Sequence, residues 1–215
     1  MRNTLISLLH YLGLTGYWRR KKLRPLACGQ AADAVSVTIL SLHRISVERD
    51  DCWQPIQPTN FEALLRYAAK NYEVVRLSQL AQAVEQRQGR AASDLRPLMV
   101  LSFDDGYADF VQYALPLLRK YNLPCNHNFV IDCLDDNACI WTQRCNNIFN
   151  DLRRRGKRIE GFDPTARNWY SQYISAFRRF LALAKAEREA QMAALEKLHG
   201  IEPPKVEMMR WVDLK

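Results

Sequence analysis

Between residues 35 and 131, apolar runs of strand length alternate with helical stretches, and few folds accommodate that alternation. Val35-Ser36-Val37-Thr38-Ile39-Leu40-Ser41-Leu42 is rich in β-branched residues and reads as a first buried strand that ends at His43-Arg44. A polar loop with Pro55 and Pro58 follows. Thr59 and Glu62 then fit a capping box for a helix running to about Asn71. Tyr72 to Leu77 reads as a second strand, and Ser78 can cap a helix that stops near Gly89. Leu98 to Phe103 reads as a third strand. Tyr107 to Asn122 is helical in pattern, divided or kinked at Pro116, and Cys125 to Ile131 reads as a fourth strand. The order β-α-β-α-β-α-β predicts a parallel sheet with helices outside it, either open or closed into a barrel.

Beyond residue 131 the pattern changes. Trp141-Thr142-Gln143-Arg144 opens a polar, aromatic stretch. Asp163-Pro164 has the form of an N-cap followed by proline in the first helical turn. Tyr170, Ile174, Phe177, Leu181 and Ala184 then step along one helical face, a stripe that reads as core packing. The pattern continues to Leu198 and ends at Gly200 and Pro203-Pro204.

With 215 residues and 48% apolar content the chain is long enough for one domain with a sizeable core. No repeat or low-complexity linker divides it. The net charge is +8, with basic clusters at residues 19–24 and 153–158. Neither cluster has interleaved aromatics or a nucleic-acid motif, so solvated helix ends are expected and a nucleic-acid partner is not. At the N-terminus Leu5, Leu8, Leu9 and Leu12 share one helical face, interrupted by His10 and followed by the first cluster. This predicts an amphipathic basic helix within residues 1–30. It is too short to span a bilayer and carries no A-x-A cleavage site. Two places remain open for it: docking on the domain's own core, or contact with a membrane surface through residues 1–24. The six cysteines form no C-x-x-C pair, and reduced thiols are the simplest account. The expected location is therefore cytoplasmic or peripheral to a membrane.

Chemistry concentrates where the third strand ends. Asp104 and Asp105 follow it directly, and Gly106 turns the chain at once. Adjacent carboxylates are costly unless a cation or a proton relieves them, so the pair predicts a metal-assisted or acid–base site. A Walker-B strand would need a G-x-x-x-x-G-K-[ST] loop, which the chain lacks, and a dehalogenase-type strand would need D-x-D. A plain structural reading stays open, with Asp105 capping the helix that starts near Tyr107.

Ser102-Phe103-Asp104-Asp105-Gly106-Tyr107 resembles the first motif, T-F-D-D-G-Y, of the polysaccharide deacetylases (carbohydrate esterase family 4). Leu40-Ser41-Leu42-His43-Arg44-Ile45 is similar to that family's early strand ending in Tyr-His-Arg-Val. Phe61, the segment Tyr72 to Leu80, and the segment Ala114 to Pro124 are similar to the elements around the motif. The resemblance covers roughly residues 35 to 150. It implies an irregular (β/α) barrel of the glycoside hydrolase/deacetylase type, here incomplete and with extra C-terminal helices. The activity it implies is removal of acetyl groups from a polysaccharide or sugar conjugate. Asp104 would be the general base, and Asp105 a ligand of a divalent metal, zinc above all.

The family's second motif, His-Ser/Thr-x-x-x-His, has no counterpart among His10, His43, His127 and His199. Met208 to Lys215 is similar to the segment that precedes it. Residues 31–215 therefore read as the N-terminal part of a deacetylase domain, expected to bind metal weakly and to hydrolyse little by itself. A non-catalytic relative that binds carbohydrate or a protein partner is the alternative. His43, at the end of the first strand, and His127, within Asn126-His127-Asn128, are weaker candidates for substrate or ligand contact, each with an ordinary structural reading beside it. Trp53 and Trp141 are candidates for sugar stacking or for partial burial.

Overall fold

A computed structural model describes residues 35–88, 95–134 and 139–214. The expected amphipathic helix and the basic cluster at 19–24 lie outside the described residues. Four parallel strands form the sheet: β1 (Val37–Leu42), β2 (Glu73–Val74), β3 (Leu98–Phe103) and β4 (Asn126–His127). β3 lies at its centre, and all six of its residues are buried. β1 runs along the whole of one edge of β3, from Val37 opposite Leu98 to Leu42 opposite Phe103. The other edge is shared. β2 pairs with Leu98 and Met99, and β4 pairs with Ser102 and Phe103. The hydrogen bonds show the division, with Val75 N–H donating to Met99 O and Asn128 N–H donating to Phe103 O.

Among the described residues this sheet does not close into a barrel, because β1 is paired only on its β3 side. β1 is also not the buried strand its composition predicts. Its residues alternate, with Thr38, Leu40 and Leu42 turned to the helices and Val37, Ile39 and Ser41 exposed. Strand burial depends on which faces are covered, and apolar content alone cannot report that.

The helix-facing side is the main core. Helix α1 (Pro58–Asn71) contributes Phe61, Leu64, Leu65 and Ala68, spaced i, i+3, i+4, i+7, against Leu42, Met99, Leu101 and Phe103. Each of the large side chains stabilises the fold by about 1.5–3 kcal/mol through burial. Phe103 meets Phe61 and Phe110 edge to face, at centroid separations of 5.8 and 4.9 Å. The predicted capping box does not form. Pro58 occupies the first turn after Gln57, no side chain caps the helix, and Glu62 instead pairs with Lys120 at 2.6 Å and Tyr121 at 2.9 Å. Proline suits that position because its fixed φ and missing N–H cost nothing there. A short 3₁₀ turn, Leu77–Gln79, leads into α2 (Leu80–Glu85), so Ser78 lies inside the turn and caps nothing. The helical stretch after the acids is indeed divided ahead of Pro116. Residues Phe110–Ala114 make a wide turn, with Leu115 N–H donating to Phe110 O, and α3 (Leu115–Lys120) follows. Proline removes the donor that a continuous α-helix would need there.

A helical layer completes the molecule: α4 (Trp141–Arg154), α5 (Trp169–Ala182) and α6 (Lys185–His199). Their core is Cys145, Ile148, Phe149, Leu152, Phe162, Tyr173, Ala176, Phe180 and Met192. α4 was visible only as a polar stretch, because its buried face includes Gln143 and Asn146. The predicted stripe on α5 is out of phase. Tyr170 and Leu181 are exposed, and Tyr173, Ala176 and Phe180 carry the contact. The expected single helix also breaks at Leu183-Ala184, where the backbone is extended. Asp163 accepts hydrogen bonds from the backbone and side chain of Thr165, six residues before the first residue of α5. The basic run at 153–158 sits at the end of α4, where cations suit the helix dipole. Arg154 and Arg155 pair with Asp151, and Arg153 lies 3.8 Å from the Trp169 ring centroid. Arg144 joins α4 to α6 through Glu189 and Glu196. Among the described residues no helix is long and apolar enough to cross a membrane.

Candidate functional site

The loop after β3 is built to present Asp104. Its backbone N–H still donates to Leu42 O at 2.9 Å, so the acid lies in register with the end of β1. Positions 100, 102 and 104 share one face of the strand, opposite the helices. That face is polar at its C-terminal end. Ser41 Oγ donates to Asp104 Oδ2 at 2.8 Å, and Asn128 Nδ2 donates to Oδ1 at 2.6 Å. Asn126 donates to Ser102 Oγ at 3.2 Å and to Asn128 Oδ1 at 3.1 Å, fixing the rotamer that reaches the acid. Burial opposes ionisation of Asp104, but the bonds from Asn128 and Ser41, and then the nearby His43 and His127 rings, outweigh it. The carboxyl is held below its ordinary value.

Asp105 differs. It takes a left-handed backbone conformation, φ 76°, and Gly106 continues it at φ 86°. Aspartate tolerates that region better than most residues. The positive φ at Gly106 favours glycine, and an added Cβ would lie 3.2 Å from Phe129 Cδ1, so the ring would have to shift slightly. Burial pushes the Asp105 carboxyl up, His43 pulls it down, and the charge of Asp104 raises it further; the net direction is upward. The two adjacent carboxyls are thus shifted in opposite directions, Asp104 down and Asp105 up. Asp105 does not cap the following helix, which starts at Phe110 after Asp109 without a side-chain cap.

The C-terminal segment braces this loop. Met209 N–H donates to Gly106 O at 2.8 Å, Ala108 N–H donates to Glu207 O at 3.0 Å, and Met208 and Met209 are buried. A buried ion pair braces the other side. Arg44 Nε donates to Asp109 Oδ2 at 2.8 Å, its guanidinium also reaches Glu48, and it lies 5.2 Å from the Tyr107 ring centroid.

His127 lies on the opposite side of the sheet end from the polar face. Its ring packs against Phe110 at 4.2 Å, Phe129 at 4.3 Å and Phe103 at 5.9 Å, and its Nδ1 is buried without a partner. Burial lowers its pKa to about 4, against the pull of Asp104. His43 is half-buried, 5.6 Å from Trp53, and lines a cleft with Ser41, Trp53 and Tyr170. Trp141 instead stacks on Phe177 at 5.1 Å under Arg188.

Among the described residues the donors do not make up a ligand set for a divalent ion. Catalytic zinc takes three protein ligands. Among the described residues no three His, Cys, Asp or Glu side chains come together as a ligand set. The five described cysteines are free thiols.

Two residues that fix Asp104, Ser41 and Asn128, were not among the candidates read from sequence. The available signal was period two. Asn126 and Asn128 alternate with His127, and strand pairing sets Asn126 opposite Ser102.

No family model matches this chain, and no curated protein matches it. Solved structures do. The chain is similar to polysaccharide deacetylases over about half its length. One neighbour is a de-N-acetylase from Aggregatibacter actinomycetemcomitans, at 25% identity over 46% of this chain and 39% of that one, with a TM-score of 0.38. A polysaccharide deacetylase from Bacillus cereus matches at 18% identity over 50% of this chain and 34% of its own, TM-score 0.39. IcaB from Ammonifex degensii matches at 18% identity over 80% of this chain and 73% of its own, TM-score 0.38. The chain thus spans well under half the length of the first two.

Proposed function

We propose that the site hydrolyses acetyl groups on a carbohydrate, with Asp104 as general base. The observation that supports this reading most is the pair of hydrogen bonds from Ser41 and Asn128, which favour the anion at the mouth of the sheet. An ionised carboxylate there can take a proton from a water attacking the acetyl carbonyl. The bond to the sugar nitrogen or oxygen breaks, acetate leaves, and the proton passes to the departing group. The sequence motif around Asp104 agrees with this assignment. Zinc binding at Asp105, the role its place in the motif implies, requires donors in addition to those of the described residues. Slow turnover is therefore expected.

The absence of a complete ligand set among the described residues favours a second reading, a carbohydrate- or partner-binding relative without catalysis. Acetate release from acetylated oligosaccharides, followed for the wild type and Asp104→Asn, separates the two. Release that falls at least a hundredfold in the variant supports the base role. Equal release, or none from either protein with and without added Zn²⁺, removes it.

A further inference from the structure

Trp53 is half exposed on a loop that the fold has gone to some length to fix. The buried carboxylate of Asp50 accepts the Trp53 N–H at 2.8 Å and the Cys52 N–H at 3.0 Å. The same carboxylate is held by Asn150 Nδ2 at 2.7 Å and Gln143 Nε2 at 3.2 Å, both from α4. Asn150 Oδ1 returns a bond to the N–H groups of Asp51 and Cys52. The polar interior of α4 thus serves to hold a loop that displays an indole to solvent. Tyr170, one of the exposed residues of the predicted apolar stripe of α5, is exposed to nearly the same degree and lines the same cleft. The cleft measures about 540 Å³, a size typical of small-ligand sites. Its polar lining is Ser41, His43, Arg44, Asp51 and Gln54, and Ser41 is the residue that donates to Asp104.

We propose that Trp53 and Tyr170 form a stacking platform for sugar rings of an acetylated oligosaccharide, placing the chain across Ser41 toward Asp104. This rests on the carbohydrate reading above. Apolar faces of pyranose rings suit rigid aromatic planes, and the hydroxyls suit the serine, histidine and amide edges around them. An exposed tryptophan on a mobile loop would lose ordering entropy on binding. Here the Asp50 network has already fixed the backbone, so little is lost.

The test is calorimetric titration of the full chain with tri-N-acetylchitotriose and with the β-1,6-linked N-acetylglucosamine trimer. Wild type, Trp53→Ala, Tyr170→Ala, Trp53→Phe and Asp104→Asn are compared, with urea midpoints as a check on folding. Saturable binding of at least one trimer is expected. Trp53→Ala and Tyr170→Ala should each weaken it about tenfold, and Trp53→Phe should recover most of the loss. Unchanged affinity in both alanine variants overturns the platform, as does absence of saturable binding of either trimer to the wild type. Acetate release is measured on the same wild-type and variant samples, so that loss of hydrolysis is read separately from loss of binding. If wild type binds but releases no acetate, the platform stands and the hydrolytic reading falls. If acetate release persists with unchanged KM in Trp53→Ala, the reverse holds.

Discussion

His127 offers a quantitative check on how the end of the sheet is built. An ordinary imidazole titrates near 6.5, and this ring, packed among Phe103, Phe110 and Phe129, titrates at about 4. The native state therefore binds fewer protons than the unfolded chain between those values. Stability contributed by the neutral ring is complete above about pH 6.5 and is lost as the pH falls toward 4. Each tenfold change in proton affinity is worth about 1.4 kcal/mol, so the whole gap corresponds to about 3 kcal/mol. The ring is partly open to solvent, which reduces the expected loss to about 2 kcal/mol at pH 4.5 relative to pH 7.5. The substitution His127→Phe removes the titration and also the buried, unpartnered Nδ1, whose desolvation costs about 1–3 kcal/mol. Urea unfolding at both pH values gives the comparison. The variant should be more stable than wild type at pH 7.5, and its loss on acidification should be smaller by about 2 kcal/mol. Parallel pH profiles for the two proteins would refute the aromatic-cage account of this histidine.

Other substitutions probe the braces around the acids. Asp109→Ala leaves the buried guanidinium of Arg44 with only the exposed carboxylate of Glu48 and should cost about 3 kcal/mol in chemical unfolding, more than Glu48→Ala. Gly106→Ala combines a left-handed backbone with a Cβ 3.2 Å from Phe129, and a loss of about 1–2 kcal/mol is expected by thermal melting. Asp50→Ala removes the acceptor for Cys52, Trp53, Asn150 and Gln143, and should destabilise by about 2–4 kcal/mol while raising protease cleavage within residues 46–56. Equilibrium dialysis of the full chain against micromolar Zn²⁺ should find uptake weaker than at a three-ligand catalytic site, because the described residues offer no such set.

The parallel sheet was legible because β3 is apolar at five of its six positions, and its one polar residue, Ser102, is buried with a hydrogen bond from Asn126. The helix at Pro58–Asn71 was legible from its period, and its start was misread by two residues because Pro58 takes the first turn and the cap falls at Gln57, not Thr59. What the sequence could not convey is coverage. Val37 and Ile39 look like core residues, and only the arrangement of neighbours leaves them exposed. The same holds for the helical layer, where Tyr170 and Tyr173 are equivalent in composition and opposite in burial. In α4 the buried polar residues that hold the Trp53 loop disguised a helix as a polar stretch. At the site, the acids stood out as a pair, but the groups that tune them come from positions 41 and 128, which only strand register brings together.

The account depends most on the ionised state of one side chain. A carboxyl-carbon NMR titration of Asp104 measures it directly, in the wild type and in Asn128→Ala. The expected midpoint lies below that of an ordinary aspartate and moves upward in the variant, because a donor to the anion is lost. A wild-type midpoint at or above the ordinary value, unmoved by the substitution, would contradict the assignment of Asp104 as a poised base.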